Sequence, residues 1–211
     1  MATPLQLQSF TIDKHTITLY VPQPEHVKEL YREQVKKDAS TAFPYWTKIW
    51  PAAIALTQFL LQNTFYIQNK KLLELAAGLG LPSIAAARFA QSVCCSDYLE
   101  EAVAVMQQSI NHRQLNNVTC TVINWEQLPQ DLEADVLLLS DINYDPTAFN
   151  ILYKVLAHFI SKGTVVLLST PQRLASKPFI ERLLPWCTRQ EEMEIVQQHE
   201  TVPVTILVLK Q

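Results

Sequence analysis

The residues best suited to chemistry in this sequence are Glu74, Gly78, Gly80, Asp97, Asn124, Trp125, Asp141 and Tyr144, and their spacing narrows what that chemistry is. Gly78 and Gly80 are two of only 3 glycines in the chain, where about 15 would be ordinary for this length. They fall in Glu74-Leu75-Ala76-Ala77-Gly78-Leu79-Gly80-Leu81-Pro82, between a strand-like and a helix-like run. A glycine-poor chain that places two there needs a backbone that bends tightly or admits a ligand closely. Glu74 stands where an acid can bond the backbone N–H groups of such a bend. Asp97 follows Gly78 by 19 residues, the separation at which an acid takes both hydroxyls of a ribose; its other use is to cap the next helix. Asn124 and Trp125 suit an adenine, through a carboxamide and an indole face, or else serve as turn and core residues. Asp141 ends the apolar run Val136–Leu139, so its carboxylate emerges from mid-sheet and must be paired, solvated or in use. Asp145-Pro146 fits a turn and helix start, with Asp145 as a cap. The set fits a nucleoside-bearing cofactor held beside a reacting amine.

These residues need a parallel sheet behind them. Strand-like runs are expected at Lys71–Leu75, Ser92–Ser96, Val118–Ile123, Asp135–Ser140 and Thr164–Ser169. Helical stretches at Leu81–Phe89, Leu99–Leu115, Phe149–Ile160 and Pro178–Leu184 alternate with them. That alternation predicts an α/β fold with a doubly wound, mostly parallel sheet covered on both faces. The runs Met193–Gln197 and Thr205–Leu209 are joined by a short turn at Glu200–Pro203, so they close the sheet as an antiparallel hairpin. Upstream, Gln6–Val21 predicts a β-hairpin about Ile12–His15, and Pro24–Lys37 a charged amphipathic helix. Pro51 suits the first turn of a helix through Leu61, preceded by the aromatic segment Phe43–Trp50. In such a sheet, ligands bind at the carboxyl ends of the strands. Glu74 with its loop, Asp97-Tyr98, Asn124-Trp125, Asp141–Tyr144 and Thr170–Arg173 all fall there.

Length and composition set the class. The 211 residues suit one domain, with 1–45 as an N-terminal hairpin and helix and 46–211 as the core. A net charge of −3 without a basic cluster gives no footprint for nucleic acid. No segment has the features of a secretory signal or the length of a membrane span, so a cytoplasmic protein is expected. Cys94 and Cys95 are adjacent on a strand, Cys120 and Cys187 stand apart, and no spacing suggests a metal site. A Walker loop is excluded, because no Lys-Ser/Thr pair follows the glycines. Gly78-x-Gly80-x-x-Ser83 comes close to the dinucleotide fingerprint, but an acid four residues before the first glycine and the terminal hairpin do not belong to it.

The motif from Glu74 to Pro82 resembles the first motif of seven-strand, S-adenosylmethionine-dependent methyltransferases. It is most similar to methyltransferase family 16, which includes many protein-lysine methyltransferases. The resemblance runs from Trp46 to Arg173 and includes Ile49-Trp50-Pro51-Ala52-Ala53, Asp97-Tyr98, Asn124-Trp125 (usually Asp-Trp) and the Asp141-x-x-Tyr144 element. It implies a Rossmann-like methyltransferase that binds S-adenosyl-L-methionine without a metal and methylates nitrogen, with a protein lysine as the leading acceptor. Small-molecule amines, N-heterocycles and a non-catalytic cofactor-binding module are its alternatives. Glu74, Gly78 and Gly80 would wrap the methionine portion, Asp97 would bind the ribose, and Asn124 with Trp125 would meet the adenine, with Ala76, Tyr98 and Asp141 also in the cofactor-binding set. Trp50 would lie over the cofactor, and Asp141 with Tyr144 would line the transfer site. Ala76 replaces the usual first glycine, and Asn124 keeps an acceptor while losing a charge.

Overall fold

A computed structural model of the chain describes residues 4–129, 131–197 and 199–211. Nine strands and six α-helices are assigned among them. Strands β1 (Leu5–Ile12) and β2 (His15–Pro22) form the N-terminal hairpin, turning at Asp13-Lys14 with Asp13 at φ 52°. Helix α1 (Pro24–Lys37) and helix α2 (Pro51–Gln62) each begin on a proline, whose missing N–H costs nothing in a first turn. The remaining elements alternate: β3 (Lys71–Glu74), α3 (Leu81–Ala86), β4 (Ser92–Asp97), α4 (Glu100–Arg113), β5 (Val118–Val122), β6 (Val136–Ser140), α5 (Phe149–Ser161), β7 (Val165–Pro171), α6 (Lys177–Leu183), β8 (Cys187–Gln197) and β9 (Glu200–Leu209).

The large sheet has seven strands in the order β5-β4-β3-β6-β7-β9-β8. The first five are mutually parallel, and β9 runs antiparallel to both β7 and β8. Successive side chains on a strand face opposite ways, and this sheet buries both sides. Leu72, Val136, Leu138 and Leu167 pack under α2, α3 and α4, with Leu56, Phe59 and Met106. Their neighbours Leu73, Leu137, Leu139 and Leu168 pack under α5 and α6, with Leu156, Phe159 and Phe179. The N-terminal hairpin adds a third cluster, laying Ile17, Leu19 and Val21 on Leu81, Ile84 and Val105. The hydroxyl of Ser109 on α4 accepts the Tyr20 N–H at 2.9 Å and fixes that docking.

Three expectations need correction. The terminal turn is not at Glu200–Pro203: β9 already begins at Glu200, and Pro203 pairs with Glu194. Proline is tolerated there because the ladder with β7 begins one residue later, at Val204. Helix α3 ends at Ala86 and relaxes into turns rather than reaching Phe89. Cys120 does not stand apart, since register pairs it with Cys95 and their sulfurs lie 3.0 Å apart.

The strand order reverses at β3: the chain leaves it for β4 on one side and later returns to β6 on the other. Crevices open at such switch points, outside the carboxyl ends of the strands. The loop leaving β3 therefore faces open space, and its shape depends on Gly80, at φ 70°, where an added Cβ would meet Met106 Sδ at 3.0 Å. Gly80→Ala is expected to lower the free energy of unfolding by about 1–2 kcal/mol from the left-handed angle alone. Urea titration should show this as a lower midpoint at unchanged slope; an unchanged midpoint would mean that the loop moves out of the left-handed region freely.

Candidate active site

The loop after β3 holds Ala76 at φ 51°, Gly78 at φ 56° and Gly80 at φ 70°. Ala76 thus takes the left-handed angle a glycine would take, at a cost of about 1–2 kcal/mol. Two buried carboxylates keep the backbone there. Glu74 Oε2 accepts the Ser83 N–H at 3.0 Å, in the first turn of α3, where Gly80 has no side chain with which to cap the helix. Asp97 Oδ2 accepts the Gly78 N–H at 3.0 Å, and its Oδ1 accepts the Leu99 N–H at 3.1 Å. Asp97 is therefore both a loop brace and a turn acceptor ahead of α4, which starts at Glu100.

A cavity of about 650 Å³ opens over this loop. Ala76, Gly78, Asp97, Tyr98, Asn124 and Trp125 line it together with Trp50, Asp141 and Tyr144. Glu74 and Gly80 lie behind the wall, with Glu74 fully buried. Asn124 Oδ1 accepts the Glu126 N–H at 2.9 Å. Asp145 Oδ1 accepts from Thr147 N at 2.9 Å and from Thr147 Oγ1 at 2.7 Å, the predicted capping role.

The surroundings of Asp141 and Trp50 are built from three segments. Asp141 adopts φ 55° and donates its N–H to Ser169 O at 3.0 Å. Its two oxygens are gripped by Arg173, one by Nη1 and the other by Nη2 at 3.0 Å. Trp50 donates its indole N–H to Tyr45 O at 2.8 Å, and Tyr45 lies 5.5 Å from Tyr144, ring centre to ring centre. The Ser169 hydroxyl donates to Ala52 O at 2.8 Å and the Gln197 amide to Ile49 O at 3.0 Å, so the chain is pinned on both sides of Trp50. Burial pushes the Tyr144 and Tyr98 phenols above their usual range, so both keep their protons at neutral pH.

Sequence reasoning missed two residues here. Arg173 falls at a strand end but carries no spacing that points at Asp141, 32 residues away. Lys48 places its Nζ 3.6 Å from the centre of the Trp50 ring. Partial burial lowers its pKa, while Asp141 pulls the other way.

The comparisons with known proteins meet this geometry. The family described as lysine methyltransferase (methyltransferase family 16) matches residues 32–186. The chain belongs to that family. Among curated relatives, the human histone-arginine methyltransferase METTL23 is 30% identical over 64% of this chain and 75% of its own length. The Xenopus tropicalis protein N-lysine methyltransferase METTL21A is 30% identical over 59% of this chain and 60% of its own. The Dictyostelium discoideum histidine protein methyltransferase 1 homolog is 30% identical over 58% and 42%. The chain thus spans about half or somewhat more of most of these relatives. Among solved structures, the N-methyltransferase NodS from Bradyrhizobium japonicum with S-adenosyl-L-homocysteine superposes with a TM-score of 0.62. That match has 11% identity over 85% of this chain and 98% of the other, and it shows the fold.

S-adenosylmethionine is the cofactor of this family, and the methyltransferase site fits it. Gly78 lines the cavity at φ 56°, an angle that favours glycine, so the loop presents bare backbone there. Each Asp97 oxygen accepts one N–H and retains acceptor capacity for a hydroxyl. A dinucleotide fits poorly: its pyrophosphate would need the N–H groups that open α3, and the Glu74 carboxylate already takes the one at Ser83.

Burial raises the Glu74 pKa from 4.5 to about 8, against the bonds from Ser83 and with a further push from the Asp97 charge. The native state thus keeps a proton that the unfolded chain has lost. The penalty is absent below the unfolded value and grows as pH rises toward 8, at up to about 1.4 kcal/mol per pH unit. Stability should fall across that window in the native chain and stay flatter in Glu74→Gln. Urea midpoints measured along it decide the matter, and parallel curves would remove Glu74 as the cause.

Proposed function

We propose that this chain methylates a protein nitrogen, with a lysine side chain as the acceptor and residues 46–211 as the cofactor-binding core. One observation carries this: a single cavity joins the braced loop and Asp97 to Asp141, Tyr144 and Trp50. The family match and the names of the lysine- and histidine-modifying relatives support it.

Bound S-adenosylmethionine supplies a methyl group on an electrophilic sulfonium. The chain's own residues do the rest. Asp97 holds the ribose diol beside Tyr98, Trp125 and the amide of Asn124 meet the adenine, and Ala76 to Gly78 offer backbone to the methionine portion. Glu74 and Gly80 act from behind by fixing that backbone. At the other end Trp50, Tyr45 and Tyr144 form an aromatic wall against which an acceptor would be aligned. Alignment of this kind can contribute about 7–11 kcal/mol to the rate. The acceptor amine must be neutral to react. Arg173 already compensates the charge of Asp141, so Asp141 orients the amine as a hydrogen-bond acceptor and does not trap it as an ammonium. Tyr144 lies beside it as a protonated donor.

Calorimetry should show binding of S-adenosylhomocysteine and none of NADH; the reverse would overturn the assignment. Asp97→Ala removes ribose hydrogen bonds and is expected to weaken S-adenosylhomocysteine about tenfold to hundredfold. In Asp141→Asn the affinity should hold while kcat on the methylated protein falls on the order of a hundredfold. Undiminished turnover in that variant would move the acceptor site elsewhere.

A further inference from the structure

Lys48 lies at the site with its amine over the face of Trp50. It lines the cavity shared by Asp141 and Tyr144. Its Nζ rests 3.6 Å from the Trp50 ring centre, and among the described residues it has no hydrogen-bond or salt-bridge partner. Other lysines here behave as surface groups do: Lys28 pairs with Glu25 at 3.0 Å and Lys177 with Glu181 at 3.9 Å, both on exposed helix faces. The carboxylate that could neutralise Lys48 is Asp141, and Arg173 has claimed both of its oxygens.

We propose that Lys48 is an internal methyl acceptor, and that the chain methylates its own Lys48 Nζ when no other substrate fills the acceptor end of the cavity. The inference rests on the proposed function and extends it to a modification site. Lys48 has the same functional group as the proposed substrate and is tethered in the lining that Tyr45, Trp50, Asp141 and Tyr144 share. Tyr45, Trp50 and Tyr144 surround the site with aromatic faces, which retain an ammonium and a methylated ammonium alike. Two influences act on its protonation: the indole favours the charged form, while partial burial lowers its pKa and makes the neutral amine more accessible. The step balances. A Lys48 ammonium first gives one proton to solvent. The Nζ lone pair then forms the N–C bond as the C–S bond breaks, and the bonding pair goes to sulfur. The products are a positively charged N-methyl-lysine and neutral S-adenosylhomocysteine.

The test uses the purified full chain with methyl-labelled S-adenosylmethionine and no other acceptor. Peptide mapping should place the label on Lys48, with a rate per molecule that is unchanged across a dilution series, and Lys48→Arg should lose the label. The native chain alone localises the methyl, so a variant that fails to fold leaves the test intact. S-adenosylhomocysteine titration accompanies it. Binding of that ligand with no label at Lys48 overturns the proposal and leaves the proposed function standing, as does label confined to another residue. A rate proportional to protein concentration overturns transfer within one molecule. Failure to bind S-adenosylhomocysteine would remove the proposed function itself.

Discussion

The site depends on a backbone that two buried carboxylates hold in an unfavourable shape. Ala76, Gly78 and Gly80 occupy left-handed angles within five residues, and such angles persist only where the surroundings over-determine them. Glu74 braces the far end through Ser83, and Asp97 braces the middle through Gly78. Between them, Ala77 donates to Ser96 O at 2.8 Å and the Ser96 hydroxyl donates to Glu74 O at 2.8 Å, stitching the bend to β4. Removing Glu74 would free the Ser83 N–H, and removing Asp97 would free those of Gly78 and Leu99. Glu74 is the costlier of the two. It lies wholly inside, one of its oxygens lacks a partner among the described residues, and it stays protonated at neutral pH. Its value lies in the shape it enforces rather than in its own contribution to stability.

That bend becomes a site because of where the sheet opens. β3 lies between β4 and β6, the crevice forms at their carboxyl ends, and each end delivers one kind of residue. The β3 and β4 ends give the braced loop and Asp97, fixed by main-chain bonds. The β6 and β7 ends give Asp141 and Arg173, joined to each other. The donor half is therefore rigid through its backbone, and the acceptor half through side chains that reach across loops. Enzymes that share a cofactor and differ in substrate need this division, because side chains can change without disturbing the cradle.

The same division explains what the sequence disclosed. Strand runs such as Val136–Leu139 are apolar on both faces and short, and helices between them leave one topology open, so the parallel core was legible. The carboxyl ends followed from that, which is why Glu74, Asp97 and the Asp141–Tyr144 segment could be placed at strand ends by position alone. Pro203 misled because proline usually marks a turn, and here it sits just outside the ladder that would need its N–H. The sulfur contact between Cys95 and Cys120 depends on strand register, which no local pattern encodes. Arg173 and Lys48 were illegible for a related reason. Long cationic side chains act at a distance from their own backbone, and only the fold shows that they converge on Asp141 and Trp50.

If the acceptor amine meets Asp141 as proposed, the pairing of Asp141 with Arg173 also constrains it. A solitary carboxylate beside the transfer point would stabilise an acceptor ammonium, the form that cannot attack a methyl group, and lysine already favours that form at neutral pH. Engaging both oxygens with a guanidinium weakens that hold while leaving lone pairs that can still direct an N–H. The clamp also offsets the strain of Asp141, whose φ of 55° aims a side chain that a relaxed strand end would not. Lys48 brings a second cation to the same end and raises the local potential further, which disfavours an incoming charged amine. On the proposed reading, the charges the fold assembles there would favour deprotonation of an acceptor amine without a dedicated base of high proton affinity.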